Sequence, residues 1–185
     1  MRIISGEYKS RRITAPKNLP VRPTTDMAKE SLFNILNNTY YFEDVSVLDL
    51  FAGTGNISYE FASRGTEKIT CVDQDFGCIR FINKTAEDFV MPIQTVKSDV
   101  FKFLENCNTK HTIIFADPPY DFPVEAFSKI PELVFKNNLL EADGLLIVEH
   151  SKHTDISHLE NYSYSKNYGG NRFSFYKVAA SDEEE

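Results

Sequence analysis

The chain has 185 residues, enough for one domain with a single sizeable core and little left for a separate target-recognition domain. Apolar residues make up 42% and charged residues 25%, the balance of an ordinary globular protein rather than a disordered one; no apolar run approaches a membrane span, and MRIISGEYKS has no signal-peptide core. A cytoplasmic protein with no membrane partner is expected, and a net charge of −7 would also argue against nucleic acid if it were evenly spread.

It is not evenly spread: residues 1–22 carry a net +5 and the rest of the chain −12. A basic arm on an acidic body is a localised phosphate-binding device, because charges beyond a Debye length of about 8 Å are screened. Arg2, Lys9, Arg11, Arg12 and Arg22 are the candidate phosphate contacts; the alternative is a solvated hairpin with incidental basic residues. Segments 2–5 and 11–15 read as a short hairpin turning near Gly6, followed by RPTTD and a helix from about Asp26 to Asn37. No sheet motif is interrupted, so the arm reads as an addition to the core.

VSVLDLFAGTGNIS, from Val45 to Ser58, is an apolar strand, a glycine turn at Gly53 and Gly55, and a helix start that runs to a stop at Gly65. Glycines there let backbone approach a ligand, and the helix N-terminus favours polar or anionic groups. As a dinucleotide fingerprint the turn is defective, since Ser58 stands where the third glycine belongs. Asp49, four residues before Gly53, would repel a pyrophosphate but suit a cationic ligand such as an amino acid moiety or a sulfonium. A second strand, Lys68 to Val72, ends in Asp73, placed to accept both hydroxyls of a ribose.

A helix from about Phe76 to Phe89 leads to a third strand, Ile93 to Lys97, which ends in Ser98 and Asp99. Asp99 also suits the cap of a short helix, Phe101 to Asn106. The fourth strand ends abruptly in Asp117, Pro118, Pro119 and Tyr120. Two prolines cannot donate to a ladder and each fixes its φ, so this is a rigid corner with an acceptor before it and a ring after it. Such a corner suits a planar exocyclic amine: Asp117 and the Pro118 carbonyl accept its two hydrogens while Tyr120 stacks on the base. An ordinary strand-to-loop turn is the alternative. Four successive strands thus place a carboxylate at their carboxyl edge, where open α/β sheets bind ligands.

Val124 to Asn137 is helical in pattern, with Pro131 expected to kink or split it. Gly144 to Glu149 reads as a fifth strand, and Tyr162–Tyr168, Gly169-Gly170 and Arg172–Val178 as a closing antiparallel hairpin. Ser181 to Glu185 reads as an acidic, disordered tail. Cys71, Cys78 and Cys107 form no metal knuckle or disulfide framework, and His150, His153 and His158 lack a carboxylate or cysteine at ligand spacing, so no metal is expected.

VLDLFAGTG, VDQD, SDV and ADPPY, in this order and spacing, resemble the motifs of S-adenosylmethionine-dependent methyltransferases in the amino-methylating branch. RIISGEYKSRRI and LPVRPTTDMAKESLFNIL narrow the resemblance to the RsmD family of bacterial small-subunit (16S) ribosomal RNA guanine-N2 methyltransferases, from Arg2 to about Lys177. Arg22, Pro23, Thr24, Thr25 and Asp26 match that family's signature, as do Phe51, Ala52, Gly53 and Gly55; the family commonly has Glu where this chain has Asp73. The resemblance implies a Rossmann-like seven-stranded α/β sheet of order 3-2-1-4-5-7-6 with strand seven antiparallel. It implies one domain over 1–185, with an RNA-binding extension (1–40), a catalytic core (41–178) and a tail (179–185).

It further implies S-adenosylmethionine as cofactor, held by Asp49, Phe51, Gly53, Gly55 and Asp73, with Gln74 and Val100 flanking the adenine and Asp99 accepting from its amine. Asp117, Pro118, Pro119 and Tyr120 would be catalytic, and Thr24 and Thr25 would join the arginines on the RNA. The expected substrate is small-subunit ribosomal RNA or the assembling 30S particle, and the expected state a monomer. A DNA adenine-N6 methyltransferase and a protein-glutamine methyltransferase remain alternatives. A nicotinamide-binding Rossmann protein is disfavoured by Asp49, Ser58 and the proline corner together.

Overall fold

The computed structural model describes residues 1–22 and 24–179. Pro23 of the RPTTD segment and the Ser181–Glu185 tail lie outside the described residues. The elements in chain order are α1 (Asp26–Asn37), a 3-10 turn (Phe42–Asp44), β1 (Ser46–Leu50), α2 (Asn56–Ser63), β2 (Lys68–Asp73), α3 (Phe76–Phe89), β3 (Ile93–Lys97), α4 (Val100–Asn106), β4 (His111–Ala116), α5 (Val124–Lys136), β5 (Leu140–Ser151), β6 (Tyr162–Tyr168) and β7 (Asn171–Lys177). They form one seven-stranded sheet of order β3-β2-β1-β4-β5-β7-β6. β1 to β5 pair in parallel, while β7 runs antiparallel to both β5 and β6, as the family resemblance implies.

Alternation along the strands divides the core between two faces. Val47, Phe115, Ile147 and Phe173 pack on one face against Leu32 and Phe33 of α1 and Phe61 of α2. Leu48, Ile114, Leu146 and Val148 pack on the other against Leu104 of α4 and Phe127, Ile130 and Val134 of α5. Both faces of the central strands are covered, which is why they read as continuous apolar runs.

Three sequence expectations are corrected. β5 begins at Leu140 rather than Gly144, where its residues pair with the start of β4 at His111 before a register shift. α5 runs through Pro131 without being split. A proline in a helix interior costs about 3 kcal/mol, but Phe127, Ile130, Leu133 and Val134 are buried on the same helix at roughly 1.5–3 kcal/mol each, and burial wins.

The third correction concerns the arm, which is built into the core rather than added to it. Its strands make only the Arg2–Arg12 bridge, with Ile3 N–H donating to the Arg11 carbonyl and Ile13 N–H to Met1. Ile3, 1% exposed, and Ile13 are buried in the core cluster of α1 and α2. The amides of Ile4 and Ser5 donate to the Glu60 carboxylate at 2.9 and 3.0 Å, and Tyr8 N–H donates to Ser63 Oγ at 3.0 Å. Gly6 turns here with φ of +87°, and a Cβ at this position would lie 1.9 Å from the Ser63 carbonyl oxygen. A side chain there would push the arm off α2.

Candidate active site at the carboxyl edge of the sheet

The ends of β1, β2, β4 and the β3–α4 connection, with Pro20, Val21, Arg22 and Thr24 as a wall, enclose a cleft of about 740 Å³. Every residue expected at the cofactor or the acceptor borders it except Gly55, which shapes the turn from beneath.

After β1 the chain makes a sharp turn in which Phe51, Gly53 and Gly55 all take positive φ, +58°, +57° and +82°. Phe51 accepts this cost because its ring is packed edge-on against Phe101 and Phe122, at 6.3 and 5.7 Å. A Cβ on Gly55 would meet the Tyr59 ring at 2.8 Å, and one on Gly53 would meet Val21 at 3.2 Å. Gly55 also caps α2 without a side-chain partner, so the Asn56 and Ile57 N–H groups have no cap, while Ser58 N–H is directed at Asp49.

Asp73 ties this turn to the next loop: Oδ2 accepts from Gly53 N–H and Oδ1 from Asp75 N–H, both at 2.8 Å. A carboxylate has roughly four lone-pair sites, so each oxygen keeps one open toward a ligand donor. Gln74 borders the cleft beside it, and Val100 and Asp99 border it from the α4 side. Asp99 does two jobs, capping α4 by accepting from Lys102 N–H at 3.0 Å while facing the cleft.

Asp49, 2% exposed, accepts from Ser58 Oγ at 2.6 Å. Burial pushes its carboxyl up to about 7, only partly offset by that hydrogen bond. Ser58 is thus the partner Asp49 needs, and its replacement of a fingerprint glycine belongs to a site with a buried acid.

On the acceptor side, Asp117 follows β4 and borders the cleft with Pro118, Pro119 and Tyr120. Burial holds the Asp117 carboxyl well above the usual carboxylate range, and the neighbouring Glu149 and Asp49 raise it further against the Arg22 charge. Tyr120, 37% exposed, carries the Arg22 guanidinium over its ring at 5.2 Å.

The expected RNA contacts divide into groups. Lys9, Arg11 and Arg12 are exposed on the arm, and Arg2 is exposed but pairs with Asp26 at 3.3 Å. Arg22 stands at the mouth of the cleft rather than with them. The two threonine side chains have partners inside the fold: Thr24 Oγ1 donates to Glu149 at 3.1 Å, and Thr25 caps α1 by accepting from Ala28 N–H at 3.2 Å.

Sequence reasoning missed Glu149, Asn171, Asn56 and Lys29. Lys29 is fully buried, with Nζ 3.4 Å from Glu60 and donating to Asn56 Oδ1 at 2.8 Å and to the Arg2 carbonyl. Asn56 Nδ2 then donates to the Thr24 carbonyl at 3.2 Å, so this network fixes the wall of the cleft. Glu149 had a signal, since the fifth strand also ends in an acid at the ligand edge. Of the histidines, His150 is buried with Nε2 2.7 Å from Ser174 Oγ; among the described residues no group of His, Cys, Asp and Glu is arranged to hold a metal. No described helix is long and apolar enough to cross a membrane.

Residues 1–177 match the family model described as conserved hypothetical protein 95. The chain is 34% identical over 161 residues to a putative rRNA methyltransferase, YlbH, of Bacillus subtilis, covering 84% of this chain and 85% of that protein. It is 32% identical over 150 residues to ribosomal RNA small subunit methyltransferase D of Escherichia coli, covering 80% and 74%. The solved structure of the putative methyltransferase yhhF from Escherichia coli superposes with a TM-score of 0.85 at 29% identity, covering 98% of this chain and 99% of that one.

Proposed function

Since the chain belongs to the RsmD family of ribosomal RNA methyltransferases, we propose that it transfers a methyl group from S-adenosylmethionine to the exocyclic N2 of a guanine in small-subunit (16S) ribosomal RNA. The observation that carries this reading is the continuity of the cleft: the glycine turn and Asp73 lie at one end and the Asp117–Tyr120 corner at the other, with Asp49 between the two sides. The open lone pairs of Asp73, the uncapped start of α2 and the anionic field of Asp49 fit a ribose, a polar tail and a cation in turn.

S-adenosylmethionine supplies a methyl group on a sulfonium, already bonded to a good leaving group. Asp117 and the Pro118 carbonyl accept the two hydrogens of the amine, which turns its lone pair toward the methyl, and the Tyr120 ring stacks on the base. As the new N–C bond forms and the C–S bond breaks, sulfur keeps the electron pair, and the nitrogen becomes acidic. Its proton leaves to the Asp117 carboxylate or to water. Alignment does most of the work, on the order of 7 kcal/mol or more in favourable cases.

The base must be out of its stack for Tyr120 to reach its face, which suits a structured RNA better than an intact duplex. The substrate is small-subunit ribosomal RNA, free or in the assembling 30S particle, and the active species is a monomer in the cytoplasm. The test is a competition for labelled methyl among unmodified small-subunit ribosomal RNA, the same RNA in 30S particles, duplex DNA and a protein release factor. Label should enter the ribosomal RNA, and label confined to DNA adenine or to protein glutamine would overturn the proposal.

A further inference from the structure

In the parallel register of β4 and β5, Ala116 stands opposite Val148, so the next residues, Asp117 and Glu149, stand side by side at the ligand edge. Glu149 shares the sheet face of Ile147, two residues earlier, which is the face the arm covers. Glu149 is 1% exposed and both of its oxygens are engaged: Oε2 accepts from Thr24 Oγ1 at 3.1 Å and Oε1 from Asn171 Nδ2 at 2.8 Å. Both partners connect to Tyr120, Thr24 through Arg22 and Asn171 directly. Thr24 fixes the backbone two residues from Arg22, whose guanidinium covers the Tyr120 ring, and the Asn171 side chain is the hydrogen-bonding neighbour of the Tyr120 hydroxyl.

We propose that Glu149 is the positioning residue of the acceptor site, holding Tyr120 in place through Thr24 and Asn171 and presenting a fixed negative charge to Asp117. The proposal deepens the methyltransferase reading and rests on it for the identity of the acceptor. Glu149 is too buried to touch the base, so it acts only through its neighbours.

The charged groups around Asp117 are Asp49 from β1, Glu149 from β5 and Arg22 from the arm, with the Tyr120 hydroxyl on its own loop. Burial raises both carboxyls of the Asp117–Glu149 pair. The Arg22 charge favours ionisation of both, but Glu149 also has two side-chain donors, whereas no side-chain hydrogen bond among the described residues favours ionised Asp117. The proton of the pair therefore resides on Asp117, which becomes the acceptor for the amine proton once it ionises. Activity then rises as pH rises through that ionisation.

Glu149→Gln keeps the shape and one carbonyl acceptor while removing the charge, and Thr24→Val and Asn171→Leu each cut one arm of the fork. The first readout needs no activity: NMR titration of the Asp117 carboxyl carbon, assigned against Asp117→Asn. Its midpoint should fall by about one pH unit or more in Glu149→Gln, and move less in the other two variants. The second is methyl transfer to unmodified small-subunit ribosomal RNA. The acidic limb of kcat/KM should move down by the same amount in Glu149→Gln, and KM for the RNA should rise about fivefold or more in Thr24→Val and Asn171→Leu with unchanged cofactor affinity.

An unmoved Asp117 midpoint in folded Glu149→Gln would overturn the proposal. If wild-type protein methylates no ribosomal RNA, the proposed function fails, and the NMR titration still decides whether Glu149 sets the state of Asp117. If Glu149→Gln does not fold, half-buried Asn171→Leu decides: a raised KM for RNA at constant cofactor affinity supports the proposal, and an unchanged KM overturns it.

Discussion

Ser58 donates to Asp49 over 2.6 Å, and Cys71 Sγ in turn donates to Ser58 Oγ at 3.0 Å, so the buried acid is held by a short relay instead of by a cation. A carboxyl moved from 3.8 to about 7 binds a proton in the folded state over a window in which the unfolded chain has lost it. Stability therefore falls as pH rises between those values, by on the order of 4 kcal/mol if the whole shift is expressed. Urea midpoints measured from pH 5.5 to 8 should fall more steeply for wild type than for Asp49→Asn, and identical slopes would contradict a buried, proton-binding Asp49. A bound sulfonium favours the ionised form, so S-adenosylmethionine should flatten the wild-type slope.

Asp73 joins the glycine turn to the next loop, its oxygens accepting two backbone amides. Asp73→Ala should weaken S-adenosylmethionine binding roughly tenfold or more in calorimetry by deleting ribose acceptors and freeing the Gly53 amide; unchanged affinity would place the cofactor elsewhere. Asp73 was legible because a strand, a glycine turn and an acid at fixed spacing are local in sequence. The partnership of Glu149 with Thr24 was not, since it joins residues 125 positions apart and depends on where the arm lands.

At the scale of elements, the arm is the piece that sequence patterns misplace. Strands, helices and the carboxylate edge follow from periodicity and turn chemistry, whereas Lys29 and Glu60 look like ordinary solvated helix charges until α1 and α2 are packed together. Together they form a buried pair, further satisfied by Arg64 at 2.9 Å and by the arm's amides. Lys29→Met should leave Glu60 short of its partner and destabilise the protein by about 3–5 kcal/mol in urea unfolding; a loss under about 1 kcal/mol would mean that the pair does not anchor the arm. Pro131 was misjudged for a related reason: propensity is local, but the apolar face that overrides it is tertiary.

At the scale of the whole molecule, a body of net charge −12 carries one built-in arm of net charge +5, with Lys9, Arg11 and Arg12 exposed and the Arg22 guanidinium at the cleft. Replacing Arg11 and Arg12 together by Ala should weaken RNA binding without sequence preference and flatten log affinity against log salt by roughly 0.7–0.9 for each phosphate no longer neutralised. The melting temperature should hardly change, because both side chains are exposed while the arm is held by buried Ile3 and Ile13. A salt slope equal to wild type would leave RNA recognition to the body.

The central claim is that the proline corner and the glycine turn form one site that moves a methyl group to a guanine amine. Its most direct test is nucleoside mass spectrometry of unmodified small-subunit ribosomal RNA after incubation with S-adenosylmethionine and either wild-type protein or Asp117→Ala. Wild type should yield N2-methylguanosine, while Asp117→Ala yields none yet binds the cofactor with near wild-type affinity. N6-methyladenosine in place of N2-methylguanosine, or N2-methylguanosine formed at full rate by Asp117→Ala, would contradict the account.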